Sequence, residues 1–211
     1  MQVDIWSDVL CPMCFIGKRS FEMALARFEH RDAVEIRWRA FELDPQMARE
    51  PHLTLIQQHH RDFGGSARAA EERMAQIAAI ALRAGLHYDL ARAMPVNSFD
   101  AHRLGKLADS VDLGEAMRER LMLAYTCEGA VITDADTLAG LAEQVGIDPD
   151  AVRKMLVGDD FTADVHADEE QARQRRITGV PTFVVDGSYT FSGLREPDDY
   201  LRSLRGAVAS A

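Results

Sequence analysis

VDIWSDVLCPMCFIGK, residues 3–18, holds a short apolar run and two cysteines three positions apart, with a proline directly after the first. Residues 3–6 are β-prone, and Ser7-Asp8 interrupts them. Pro12 suits the first position of a helix, where its missing N–H would have no intrahelical partner and its φ is already helical. Phe15, Phe21, Leu25 and Phe28 then recur at roughly helical spacing. The stretch therefore predicts a strand, a sharp junction and a helix, with Cys11 and Cys14 at the junction.

Outward from there, VEIRWRAF at 34–41 alternates Val34, Ile36, Trp38 and Ala40 with Glu35, Arg37 and Arg39, the period of a strand. The first forty residues thus read βαβ. At the other end, GVPTFVVDGSYTFSG at 179–193 sets two β-prone runs around Asp186-Gly187, a hairpin signal. A last helix is expected over 197–208. Residues 51–160 read helical throughout. One helix is expected over 71–84 with Gly85 as its stop, and a second starts at Ser98. Others cover 116–125, 134–145 ending at Gly146, and a shorter piece opened by Pro149. A polar helix is expected over 164–176. This pattern is an α/β protein whose mixed four-stranded sheet comes from both chain ends, with a helical insertion between them.

Composition narrows the function. The chain has 211 residues and a formal net charge of −10, which argues against a general nucleic-acid-binding role, since that leaves a basic footprint. No apolar run approaches the ~20 residues of a membrane helix, so no membrane partner is expected. The N-terminus lacks the basic and long apolar regions of a signal peptide, and the expected location is the cytoplasm. Three cysteines, at 11, 14 and 127, are too few and too odd for a secreted disulfide scaffold.

A thiol attacks only as the thiolate, and an ordinary cysteine has a pKa of about 8.5. A helix N-terminus favours the anion through its amide groups and the positive end of its dipole. Cys11 precedes Pro12 at such a position, and Cys14 lies one turn inside, where it can attack a mixed disulfide formed on Cys11. Two other readings compete. The pair could be half a zinc site, with Cys127 and His102 or His166 completing it, but there is no second paired motif. It could also be an inert core pair. Placement at a strand-to-helix junction beside proline favours the redox reading.

SDVLCPMCFIGK at 7–18 resembles the active-site segment of DsbA-like thioredoxin-fold oxidoreductases, particularly the FrnE-type branch. WRAFELDP at 38–45, NSFDAHRL at 97–104, AYTCEG at 124–129 and GVPTFVVDG at 179–187 extend the likeness in the right order over nearly the whole chain. The resemblance implies a thioredoxin-like core from residues 1–50 and 161–211, with a helical insertion domain at 51–160. It implies Cys11 and Cys14 as the catalytic pair. It also implies a cis bond at Val180–Pro181, in a loop facing them that pairs with an extended substrate. Pro12, Met13, Val180, Pro181 and His102 are the expected substrate-binding residues. The insertion is expected to lie over the cysteines as a lid, with 97–103 nearest to them.

The chain departs from the pattern in two places. Met13 stands where many relatives carry Trp or His, and brings no positive charge to Cys11. Cys127 is isolated where some relatives have a second pair; helix packing is its plain reading. Asn97 and Ser98 read as capping residues, and Trp6 and Phe15 as packing.

The expected function is thiol–disulfide exchange on protein or small-molecule thiols and disulfides, with no cofactor beyond the Cys11–Cys14 pair and no metal. Glutathione is a candidate thiol partner. A second class is a glutathione-dependent isomerase or transferase, because kappa glutathione transferases and 2-hydroxychromene-2-carboxylate isomerases resemble this layout. They typically have serine at the position of Cys11. A third class is a non-catalytic peptide-binding or chaperone module.

Overall fold

The computed structural model describes residues 1–209. Strand β1 (Gln2–Ser7) runs into helix α1 (Pro12–Leu25), and strand β2 (Glu35–Ala40) returns parallel to β1, pairing Ile5 with Trp38. Strands β3 (Thr182–Val185) and β4 (Tyr189–Ser192) form the expected hairpin, with positive φ at both Asp186 and Gly187. β3 pairs antiparallel to β1, which gives the sheet order β2-β1-β3-β4. β1 and β3 are the central strands and are buried on both faces; β3 is mostly apolar, whereas β1 carries a buried Asp4 whose carboxylate pairs with Arg39 of β2. Only Phe191 is buried on the edge strand β4.

Helix α9 (Pro197–Ala209) packs beside α1. One core cluster joins Val3, Ile5, Phe21, Phe28, Phe183, Phe191, Tyr200 and Leu204 from these elements. Phe21 and Phe183 lie 5.2 Å apart, centroid to centroid, and Tyr200 meets both rings edge-on.

Seven helices lie between β2 and β3 among the described residues: α2 (Leu55–Phe63), α3 (Ala67–Arg83), α4 (Phe99–Asp109), α5 (Gly114–Leu123), α6 (Ala135–Gln144), α7 (Pro149–Val157) and α8 (Thr162–Gln174). A second cluster, with Leu104, Met117, Leu121, Tyr125, Ile132, Leu138 and Met155, also takes in Val9 and Leu10. The turn after β1 is therefore rooted among the helices. A third cluster sets Cys11, Cys14, Phe15 and Ile16 against Met74, Ile77 and Ala81 of α3 and against Met122. The cysteines thus sit where the sheet-bearing and helical parts of the chain meet. Lys18, 2% exposed, crosses the same junction from α1 to Glu115 and Glu119 of α5.

Two local details differ from expectation. Ser98 occupies the N-cap of α4 but makes no capping bond. The Phe99 amide donates instead to Oδ1 of Asn97 (3.1 Å), so the cap is made one residue earlier. Beyond α5 the helix widens into a π-turn over Ala124–Glu128, which ends at Gly129 with φ +70. A side chain at Gly129 would press on the Arg92 carbonyl, 2.9 Å away, so glycine is required there on two counts.

Candidate active site

Cys11 is the N-cap of α1, with extended backbone and Pro12 in the first helical position, as the sequence implies. The turn is held from inside. The Cys11 amide donates to the Asp8 carbonyl (3.2 Å) and the Cys14 amide to the Cys11 carbonyl (3.0 Å). The Asp8 carboxylate, fully buried, accepts from the amides of Leu10 (3.2 Å) and Leu43 (2.8 Å). From outside, the Tyr88 hydroxyl donates to the Pro12 carbonyl (2.7 Å).

Both thiols are free. Cys11 is 8% exposed and Cys14 1%. Burial pushes the Cys14 thiol well above its ordinary range, and the neighbouring Cys11 adds to the rise; the Asp8 backbone and the Ser7 hydroxyl oppose it. The two cysteines therefore differ in access, and burial holds Cys14 in its neutral form.

The Val180–Pro181 bond is cis, and the Cys11 thiol donates to the Val180 carbonyl at 3.7 Å. The loop is braced by Thr182 Oγ1 donating to the Gly179 carbonyl (2.8 Å) and by the Gly193 amide donating to the Pro181 carbonyl (2.8 Å). It can approach α1 this closely because residue 17 is glycine.

A cleft of about 500 Å³ opens beside Pro12. Its walls include Leu10, Leu43 and Met47, Leu55, His59 and Phe63 of α2, and Met74 and Ile77 of α3. Tyr125 also lines it; its buried hydroxyl has no hydrogen-bond partner among the described residues, and burial raises its pKa. The helical segment does flank the cysteine turn, but α2 and α3 supply the wall. Residues 97–103 do not line this cleft.

His102 is accordingly placed elsewhere. Its Nε2 lies 3.4 Å from Oδ1 of Asp8, and its ring lines a small cavity with Ser7, Trp38, Lys106 and Met122. The reason is helical phase. His102 and Lys106 are one turn apart on the face of α4 turned to the sheet, and Lys106 reaches Asp168 and the Trp38 carbonyl. Met13 is half-buried against the cluster that holds the cysteines. Cys127 lies in the π-turn, where burial raises its pKa. No group of three or more His, Cys, Asp or Glu side chains among the described residues is arranged to hold a metal ion.

Sequence reasoning passed over Tyr88, Tyr125, Gly17 and α2 as contributors. α2 had a signal: Thr54 and Gln57 make a reciprocal capping box. The tyrosines had none, because only the fold brings them to the cysteine turn.

A family model for the DSBA-like thioredoxin domain matches residues 2–205. The crystal structure of a probable DsbA oxidoreductase from Streptomyces coelicolor is 35% identical, superposes with a TM-score of 0.97, and covers 100% of this chain and 91% of its own. Two more distant structures share the fold. One is a 2-hydroxychromene-2-carboxylate isomerase, 18% identical with a TM-score of 0.69, covering 100% of this chain and 95% of its own. The other is the cytosolic disulfide reductase DsbM of Pseudomonas aeruginosa, 20% identical with a TM-score of 0.66, covering 100% of both chains and also solved with GSH. An isomerase and a reductase on one fold show that the fold does not choose the reaction. The match along almost the whole length does fix the lineage: the chain belongs to the DsbA-like thioredoxin-domain family.

Proposed function

We propose that this protein is a thiol–disulfide oxidoreductase in which Cys11 attacks a substrate disulfide and Cys14 resolves the mixed disulfide. One observation carries the reading. Cys11 stands at the helix N-cap against the Val180 carbonyl, next to Pro12, which lines an open cleft, while Cys14 is sealed behind it. An attacking thiol needs access and a stabilised anion, and a resolving thiol needs only reach. The Val180 backbone beside Cys11 offers an edge on which an extended peptide can lie.

The cleft beside Pro12 is mainly apolar, so the preferred substrates are disulfides flanked by apolar or aromatic side chains. Glutathione is a thiol partner that would return the pair to its dithiol form; DsbM, of the same fold, has been solved with GSH. In a reducing cytoplasm the net work is reduction or isomerisation, because direction follows the potential of the pair against its surroundings. No helix among the described residues is long and apolar enough to cross a membrane.

The test is a titration of the pair in glutathione redox buffers, followed by turnover of a cystine-bridged peptide. A reversible Cys11–Cys14 disulfide and exchange lost in Cys11→Ser are expected. A pair that never closes, or turnover surviving that substitution, would overturn the reading.

A further inference from the structure

We propose that Tyr88 is a positioning residue for disulfide exchange: by donating to the Pro12 carbonyl it strengthens the Met13 amide as the hydrogen-bond donor that receives the Cys11 thiolate. This rests on the redox reading above and adds a residue outside the cysteine turn that sets how strongly the dithiol form is favoured.

The link runs through one peptide group. The carbonyl of Pro12 and the N–H of Met13 belong to the same planar unit, so drawing electron density toward the oxygen makes the N–H a better donor. The Tyr88 hydroxyl donates to that oxygen at 2.7 Å. Among the described residues no other side chain donates to it.

The far end of the same unit is free to act on sulfur. Met13 is the second residue of α1, so no helical carbonyl lies one turn back to accept its amide. The side chain of an N-cap residue is the group that takes up the amide of the second or third helical residue. Here the N-cap is Cys11, and the third amide, that of Cys14, already donates to the Cys11 carbonyl (3.0 Å). The Met13 amide is left for the sulfur. The neutral Cys11 thiol makes no capping bond and donates instead to the Val180 carbonyl (3.7 Å). Ionisation removes that proton and turns the sulfur into an acceptor, which gives the Met13 amide its partner. The Met13 side chain is uncharged, so its backbone is what it contributes to the anion.

The surroundings hold Tyr88 in place. Its ring stacks on Phe15 of α1, with centroids 6.3 Å apart and planes at 25°. Leu86 and Leu90, two residues to either side, are buried in the cluster that contains both cysteines. The adjacent Asp89 amide donates to the Thr126 carbonyl (2.8 Å), inside the π-turn that follows α5. Burial raises the pKa of the Tyr88 phenol, so the hydroxyl stays a donor. The other titratable groups facing Tyr88 or the cysteine turn are Cys14, Cys127, Asp8, Glu119, Tyr125, and His102 beside Asp8. Tyr88→Phe removes one oxygen atom and leaves all of them present.

The experiment is a glutathione redox equilibrium for the wild type and Tyr88→Phe at about pH 9, above the ordinary pKa of a cysteine. Reduced protein and glutathione disulfide give the Cys11–Cys14 disulfide and two glutathione thiols. The protein loses two electrons and two protons, and glutathione disulfide gains them. A bond that only supports the fold stabilises both protein forms alike and leaves this equilibrium unmoved. A bond that stabilises the thiolate acts on the dithiol form alone, because the disulfide has no anion to hold. Tyr88→Phe should therefore shift the equilibrium about two- to fivefold toward the protein disulfide. The rate of Cys11 alkylation by iodoacetamide should follow pH along a curve displaced to higher pH. In the wild type, the Met13 amide proton should move downfield by NMR as Cys11 ionises, a measurement that needs no variant. An unmoved equilibrium, a shift toward the dithiol, or a Met13 amide that does not respond would overturn the role of Tyr88 and leave the redox reading intact. A wild-type cysteine pair that never closes would overturn both.

Discussion

A carbon added at Gly17 would lie 3.1 Å from Cγ of Pro181 and 3.3 Å from the hydroxyl of Tyr200. Gly17 is one turn beyond Cys14 on α1, so the bare backbone there is the floor on which the Val180–Pro181 loop rests. Contacts this close leave no room for a methyl group unless the loop retreats. Gly17→Ala should cost about 1–3 kcal/mol, as overpacking does. It should also slow exchange with peptide disulfides more than with small ones, because the Val180 edge moves away from Cys11. Urea unfolding and the two rates check this. An unchanged rate with unchanged stability would mean that the loop relaxes freely.

The unequal burial of the cysteines gives a second prediction. Iodoacetamide at neutral pH should label Cys11 first, and Cys14 should lag on the order of tenfold or more, since it is shielded and its ionisation is pushed up. Cys14→Ser should accumulate a covalent adduct through Cys11 when given a cystine peptide. Faster labelling of Cys14, read by peptide mass spectrometry, would reverse the assigned roles.

Local signals carried most of the fold and only part of the site. Strands β1 and β2, the hairpin at Asp186-Gly187 and the proline-started α1 are short-range patterns, and each lies where the spacing puts it. The cis loop was legible only through resemblance, because no local rule sets an X–Pro isomer. His102 shows the limit. Its place on α4 was readable, but which wall the helix turns toward the cysteines depends on how Lys106 and Arg103 are anchored. Arg103 donates to the carbonyls of Met155, Gly158 and Asp160, and Lys106 pairs with Asp168, both far along the chain. Those long-range bonds set the phase of α4, and nothing within 97–104 announces them.

Phe63 provides a third test. It is 78% exposed, ends α2 and lines the cleft beside Pro12. An exposed aromatic ring at a cleft wall contributes little to folding and much to an apolar ligand. Phe63→Ala should change stability by no more than about 0.5 kcal/mol. It should raise KM for an aromatic-flanked cystine peptide on the order of tenfold, the loss of one buried ring contact, and leave glutathione disulfide nearly unaffected. Equal effects on both substrates would take the cleft out of substrate binding.

The last prediction concerns Glu42, which follows β2 and is 7% exposed. Its Oε1 accepts from Asn97 Nδ2 (2.9 Å). Burial raises its pKa to about 8, and the neighbouring Glu169 and Asp8 carboxylates add to the rise. In the unfolded chain the same group titrates near ~4.3. Between those values the folded state holds a proton that the unfolded state releases, so stability must fall as pH rises from about 4.3 to about 8. The loss should be on the order of 2–4 kcal/mol across that window. Glu42→Gln keeps an oxygen for Asn97 and gives Glu169 a permanent N–H donor, so it should match the wild type near pH 5. At pH 8 it should be more stable by about 1–3 kcal/mol, and the slope should flatten. Urea denaturation at several pH values measures both curves. Parallel curves would show that Glu42 does not hold its proton, and that the Asp8 side of the cysteine turn tolerates a second buried negative charge.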